Sequence, residues 1–455
     1  LPPLFPYRLP RQHCHPLATA GSRLPVFYHD FVAHDPIKTT GLSSSAVTIA
    51  TALRPTQSAR EVAQHAAELF RNSRWEDLAR LSSLLPADWP GEWLPVADNV
   101  SFALGQLGRH EEAIALLVRA DGVEPTHRRA SSLAYLYYDA LLLHKSRKQK
   151  LSDPEHWRKH FEAWITEALR RQPDSVVDRY RLGVYYASVL SLKDIQASRW
   201  FHEAIAIFDR GNDEARSPRS RLYKPFVRSL YGAARSAYRL RRYPQAQALI
   251  FRCIRVDRET NHVEALYKYF LAAKVLVAVG RLDDAERGLR LALEVEYQRE
   301  RDFVYALLAE ISLQRGDSEA ARRWIEAHIR PHARKSYIWR LLGHAEELRG
   351  KNSAALGCYK SALLKDHGGR HKTLVAIGRV QEANGDWKAA RQSYLQATEF
   401  RRRRFLSDDP AALEALAALC ERRSDVDGAR EAYARMSKLP GLAERAEEAL
   451  ARLAG

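Results

Sequence analysis

The sequence predicts an all-α chain, an α-solenoid built from antiparallel helix-turn-helix repeats. Three observations carry that prediction. A glycine followed five residues later by alanine recurs as "GRHEEA" (108–113), "GRLDDA" (280–285), "GDSEAA" (316–321), "GKNSAA" (350–355) and "GDWKAA" (385–390), and the last four copies start at 280, 316, 350 and 385. Self-similarity near this period marks stacked supersecondary units. Apolar residues flank each copy at helical spacing, as in Trp339, Leu342 and Gly343 before one turn and Ala355, Tyr359 and Ala362 after it. Glycine (22 of 455 residues) and proline (20) are modest while alanine and leucine dominate the later sequence, which favours helix.

Taken in order, residues 1–57 form a segment with Pro2, Pro3, Pro6, Pro10, Pro16, Pro25, Pro36 and Pro55 and no sustained period. It is read as disordered or as a mis-called start, since the chain opens on Leu1 and its only methionine is Met436. A helical repeat array of about nine units is expected over 58–440, degenerate between 128 and 225. A partial unit at 59–86 holds Trp75 and Leu78, and the 94–127 unit keeps Gly108, Ala113, Leu117, Ala120 and Pro125. Two looser units follow, around "LAYLYYDALLLH" (133–144) with "WRKHFEAWITEALRRQP" (157–173), and around "RYRLGVYYAS" (179–188) with Ala197, Phe201 and Ala204. The basic stretch "HKSRKQK" (144–150) between the halves of the first reads as an exposed loop. From 227 the frame is regular, with units near 227–260, 266–299, 302–335, 336–369, 371–404 and 410–443. Residues 441–455, "GLAERAEEALARLAG", are a capping helix.

Within a unit the central glycine ends the first helix and a polar residue opens the turn. One hairpin cannot bury enough apolar surface alone, so neighbours must stack. Small residues such as Gly343, Ala355 and Ala362 are predicted at points of close helix approach, with Trp339, Leu342 and Tyr359 filling the gaps. Gly357 falls on no small position of this scheme. Cys253, Cys358 and Cys420 lie at apolar helical positions and read as small core residues.

Residues 336–369 place Trp339, Leu342, Gly343, Ala355 and Tyr359 on the pattern W-x2-L-G-x2-Y, then A-x3-F, and the chain over about 58–455 resembles the tetratricopeptide repeat (TPR) family. Glu346 at the tyrosine position and His367 near the closing proline depart from the pattern. The resemblance implies a right-handed superhelix whose first helices line a concave groove. It also implies groove positions at the second, fifth, ninth, twelfth and thirteenth residues of a unit.

Charge singles out one region. The net charge is +17, which leaves acidic peptides, nucleic acid and anionic membrane surfaces as partner classes. From Ala215 to Val256 there is no acidic residue, and Arg228, Arg235 and Arg239 share one face of a helix opposite Phe226, Leu230, Ala233 and Ala237. On the implied frame the candidate peptide-binding groove is Arg228, Tyr231, Arg235, Tyr238 and Arg239, extended by Tyr267, Phe270 and Lys274. Further along it takes in Tyr337, Arg340 and His344, expected to be exposed, then Lys372 and Arg379. Arginine grips carboxylates bidentately and tyrosine adds flat contact area. A solvated helix face is the competing reading of the stripe. "FRRRRF" (400–405) is read as cations complementing a helix C-terminus.

No HExxH, G-x-S-x-G, Walker or GxGxxG motif occurs, so no catalytic residues, metal site or cofactor are expected and the chain is read as not an enzyme. His13, Cys14 and His15 have metal-ligand types but no second ligand pair. No run of eighteen apolar residues exists, so no transmembrane segment is expected. The four cysteines form no CxxC, and the expected location is cytoplasmic, with export or organelle targeting left open by the N-terminus. The function expected is a non-catalytic protein-protein interaction scaffold or adaptor that binds a peptide segment, acidic ones favoured, in the groove. Two alternatives stand beside it. One is an RNA-binding helical-repeat protein, the other an accessory or regulatory subunit of a bacterial secretion or polysaccharide-assembly machine.

Overall fold

The computed structural model describes residues 58–453 except 89, 192, 296, 298, 299 and 440. The expectations placed on 1–57, the His13–Cys14–His15 cluster among them, lie outside the described residues. Among the described residues the chain forms helices and no strand. It divides into two units, Leu1–Val275 and Leu276–Gly455.

In the first unit the helices run α1 (Ala59–Arg71), α2 (Trp75–Arg80), α3 (Leu94–Gln106), α4 (His110–Val123), α5 (His127–Lys145) and α6 (Pro154–Arg171). They continue as α7 (Val176–Val184), α8 (Asp194–Arg210), the single turn α9 (Asp213–Arg216), α10 (Tyr223–Arg239) and α11 (Tyr243–Val256), then enter α12 (Ala265–Ala278), which crosses the unit boundary. Successive helices pack as hairpins: α3 on α4, α5 on α6, α7 on α8 and α10 on α11. Each second helix then meets the next first helix, as α4 meets α5 and α8 meets α10.

Several helices between 128 and 225 differ in length from those of the second unit. α5 and α6 are 19 and 18 residues long, α7 ends in a π-helical turn at Tyr185–Val189, and α9 with its flanks is inserted before α10. Buried aromatic residues fill the wider spaces. Phe161 packs at 4.4 Å from Tyr185, and Phe208 stacks on Phe226 at 3.8 Å.

The second unit is regular: α13 (Leu282–Glu294), α14 (Asp302–Gln314), α15 (Ser318–His328), α16 (Ser336–Leu348), α17 (Asn352–Lys365), α18 (Arg370–Ala383), α19 (Trp387–Phe405), α20 (Pro410–Arg422), α21 (Val426–Met436) and α22 (Ala443–Arg452). Gly350 shows why each hairpin turns where it does. Its φ is +70°, a left-handed conformation that glycine adopts without a Cβ clash, and Gly280, Gly316 and Gly385 share it.

Gly343 answers a different need. A Cβ there would lie 2.5 Å from the Tyr359 ring, and Gly378 stands in the same relation to Tyr394. Both tyrosines are 1 % exposed, so the glycine on the first helix makes the socket for the aromatic ring of the second. Gly357 has nothing within 4 Å of its would-be Cβ and is exposed on α17, so packing does not require it.

Each of these tyrosines also spans three helices. The Tyr359 hydroxyl donates to Glu347 at 2.8 Å, and Glu347 receives Arg379 of the next hairpin at 2.5 and 2.8 Å. Tyr394 donates to Glu382 at 3.0 Å, and Glu382 receives Arg422. Tyr433 bonds Glu421, which receives Arg452 of α22 at 2.7 Å. A tyrosine, a glutamate twelve residues earlier and an arginine from the following element thus clamp neighbouring hairpins together. Cys253 and Cys420 are buried and Cys358 half-buried, all unpaired. Burial pushes the Cys253 thiol up to about 12.

Candidate functional site

α10 is amphipathic by design of its sequence. Phe226, Leu230, Ala233 and Ala237 are at most 2 % exposed, and the arginines fall on the opposite side. Arg228 and Arg235 are half-buried and Arg239 is exposed. Arg228 donates to the His262 carbonyl at 3.4 Å and also bonds the Tyr180 hydroxyl. Arg235 donates to the Ser188 hydroxyl at 3.4 Å, and that serine sits in the π-helical turn after α7. Arg239 approaches Asp194 at 3.4 Å while 43 % of its side chain stays in solvent. These separations lie at the long end of the hydrogen-bond range.

Tyr231 is buried, so it stands behind the stripe and not on the open face. Tyr238 is half-buried beneath Lys274, whose ammonium lies 4.8 Å from the ring centroid and 5.8 Å from that of Phe270. Tyr267 is half-buried on α12.

The structure adds residues that the repeat frame did not reach. On α7, Arg181 lies 5.1 Å over the Tyr135 ring of α5 and donates to Ser131 and to Asp178 at 3.0 Å. Tyr180 is 9 % exposed. Burial pushes its hydroxyl up, partly offset by Arg228, Arg181 and Arg235 around it. Burial also raises Tyr135 and Tyr138. The first helices α5, α7, α10 and α12 therefore carry rings and cations side by side. Guanidinium or ammonium groups held over aromatic faces are favourable and lose little further freedom on binding. The strings "LAYLYYDALLLH" and "RYRLGVYYAS" contained the signal. Their longer helices and the insertion around α9 shift Arg181 out of a fixed period from Arg228.

Asp178 anchors this face from behind. It is fully buried and receives Ser175 at 2.6 Å, Ser131 at 2.7 Å, Arg181 at 3.0 Å and the His127 ring at 2.8 Å. Burial would raise its carboxyl, but Arg181 and the three hydrogen bonds hold it below its ordinary value. Asp194 plays a smaller version of the part, accepting from Ser236 at 3.2 Å. The acids near the stripe are inward-facing supports.

In the second unit the predicted residues look different. Tyr337, Arg340 and His344 are half-buried, where exposure was expected, because the first helices α14 and α18 on either side also contact α16. Burial raises the Tyr337 hydroxyl and lowers His344, which Arg379 lowers further. Arg340 is bound to buried Asp366 at 2.7 Å, and Arg379 belongs to the Tyr359–Glu347 clamp. Glu346, at the family's tyrosine position, is buried and receives Arg349 at 2.9 Å. Lys372 is exposed.

Among the described residues no group of three histidine, cysteine or acidic side chains converges as a metal site, and no helix is long and apolar enough to cross a membrane. No family model and no curated protein matches the chain. Solved structures do. A tetratricopeptide repeat protein from Parabacteroides merdae aligns at 14 % identity and a TM-score of 0.43, over 57 % of this chain and 92 % of its own. The APC/C hetero-tetramer Cut9–Hcn1 aligns at 14 % identity and 0.40, over 88 % and 84 %. Yeast Tom70 aligns at 14 % and 0.38, over 87 % and 94 %. With its left-handed turn glycines, glycine–tyrosine sockets and paired helices, the chain has a TPR-like helical-repeat fold.

Proposed function

We propose that this protein is a non-catalytic interaction scaffold whose first unit binds an extended acidic peptide along the face of α5, α7, α10 and α12. The observation that carries the reading is the face itself. Arg181, Arg228, Arg235, Arg239 and Lys274 lie beside Tyr135, Tyr180 and Tyr238, and the nearby carboxylates Asp178 and Asp194 point inward. Peptide carboxylates would add short charge-assisted bonds to Arg239, which is 43 % exposed and meets Asp194 only at 3.4 Å. The expected groove residue Arg340 lies in the second unit, where Asp366 holds it, and is not part of this face. The unpaired cysteines suit a reducing, cytoplasmic setting.

RNA is the less favoured ligand. Base stacking needs open rings, and Tyr180 and Tyr231 are buried. The test is fluorescence anisotropy of acidic C-terminal peptides against wild type and Arg235→Glu/Arg239→Glu. The variant should lose binding; equal affinity for both would reject the assignment.

A further inference from the structure

One end of the second unit carries features that peptide binding in the first unit does not use. α19 is 19 residues long and outruns its 14-residue partner α18 by about 7 Å at 1.5 Å per residue. The overhang is "RRRRF", and Leu406 follows as its C-cap with φ +55°, a region disfavoured for a leucine. Leu406 is 92 % exposed and Phe405 51 %, and Leu364 at the end of α17 is 84 % exposed. His371 at the start of α18 stacks on Phe400 and meets Phe405 at 5.9 Å. The ends of α17 and α19 and the start of α18 therefore share one end of the stack.

The charge there is one-sided. Asp366 is taken by Arg340 and the backbone of Gly368 and Gly369, and Asp408 by Arg435 at 2.7 and 3.1 Å. Asp409 caps α20 and faces Arg401 at 3.6 Å, and Glu399 holds Arg403. Among the described residues Arg370, Lys372, Arg402 and Arg404 are exposed and in no ion pair.

We infer that this end of the second unit docks on an anionic phospholipid surface. Phe405 and Leu406 stand exposed at the end of the overhang. A fluid interface accepts such protruding side chains, and basic residues beside them supply the second attraction that stable peripheral binding needs. The internal pairing of every nearby acid leaves the cations to the lipid phosphates.

The experiment is co-sedimentation of the full chain with vesicles of phosphatidylcholine alone or mixed with phosphatidylglycerol. Wild type should pellet with the mixed vesicles only, and less as salt rises. Phe405→Ser/Leu406→Ser and Arg402→Glu/Arg404→Glu should each weaken binding by about ten-fold or more. Leu406→Gly should weaken it too, and it suits the left-handed backbone, so misfolding cannot account for its loss. Arg219→Glu/Arg221→Glu, the same charge change on exposed residues of the first unit, should cost much less. Equal pelleting with both vesicle types, wild-type binding by the Phe405/Leu406 variant, or an equal loss in the control pair would overturn the inference. So would capture of poly-glutamate through Arg402 and Arg404 with no vesicle binding, which would mark an acidic protein partner instead.

Discussion

The two units both carry arginine on their first helices, but they put it to different use. In the second, Arg340 holds Asp366 within one hairpin at 2.7 Å, and Arg379 holds Glu347 of the preceding hairpin at 2.5 and 2.8 Å, so cations tie the repeats together. In the first, Arg228 and Arg239 make contacts as long as 3.4 Å, Lys274 rests over the Tyr238 ring, and Arg181 lies over Tyr135 while pairing with buried Asp178 at 3.0 Å. The cause is visible in composition: no acid occurs between Ala215 and Val256, whereas the second unit places a glutamate within reach of each clamp arginine. A count of basic residues says little about binding until the positions of the acids are known.

The most forceful way to break this contrast is to reverse charge in both places. Arg228→Glu/Arg235→Glu/Arg239→Glu should lower acidic-peptide affinity by about three orders of magnitude, since each charge-assisted bond contributes about 1.5–3 kcal/mol. Arg340→Glu/Arg379→Glu should change that affinity by less than about three-fold while lowering the melting temperature. Calorimetric titration with one acidic peptide reads both. If the second pair weakens binding as much as the first set, the division of labour is wrong.

Stability should show the reverse order. Arg340→Ala strips its partner from Asp366, whose side chain is 7 % exposed, and should cost about 3 kcal/mol in urea unfolding. Arg239→Ala removes a side chain that is 43 % exposed and should cost less than about 1 kcal/mol. Comparable losses would mean that Arg239 is as structural as Arg340.

Much of the second unit could be read in advance because its devices are local. The turn glycines, the Gly343–Tyr359 socket and the five hairpin frames from 266 onward follow from spacing along the chain. The face of the first unit was legible only where the period held, on α10. Arg181 and Tyr135 escaped because 18- and 19-residue helices, a π-helical turn and the α9 insertion break the register. Burial was the other blind spot. Tyr231 and Arg340 sit at positions that a repeat frame labels as groove, yet a neighbouring helix covers one and an aspartate claims the other.

The two mid-helix glycines near Tyr359 sharpen the same lesson at smaller amplitude. Gly343→Ala puts a methyl 2.5 Å from the Tyr359 ring and should destabilise by about 2 kcal/mol through overpacking. Gly357→Ala meets nothing within 4 Å and should stabilise by about 0.5–1 kcal/mol, by reducing the freedom of the unfolded chain. Opposite signs on one hairpin would separate packing from propensity; the same sign for both would reject the socket.

The smallest effect concerns acid. Burial would raise the Glu347 carboxyl, but the Arg379 and Tyr359 bonds win and hold it below its ordinary 4.5. A carboxyl depressed in the folded state binds fewer protons there than in the unfolded chain. Its stabilisation is therefore fully present above 4.5 and is lost as pH falls through the depressed value. Glu347→Gln cannot titrate, so its unfolding free energy should fall less steeply than wild type over that acidic window, from a lower starting point at neutral pH. Arg239 touches no group of this clamp, so Arg239→Gln should leave the wild-type slope unchanged. Parallel slopes for wild type and Glu347→Gln would show that the clamp leaves the Glu347 carboxyl unshifted on folding, and the second unit's clamps would lose their electrostatic basis.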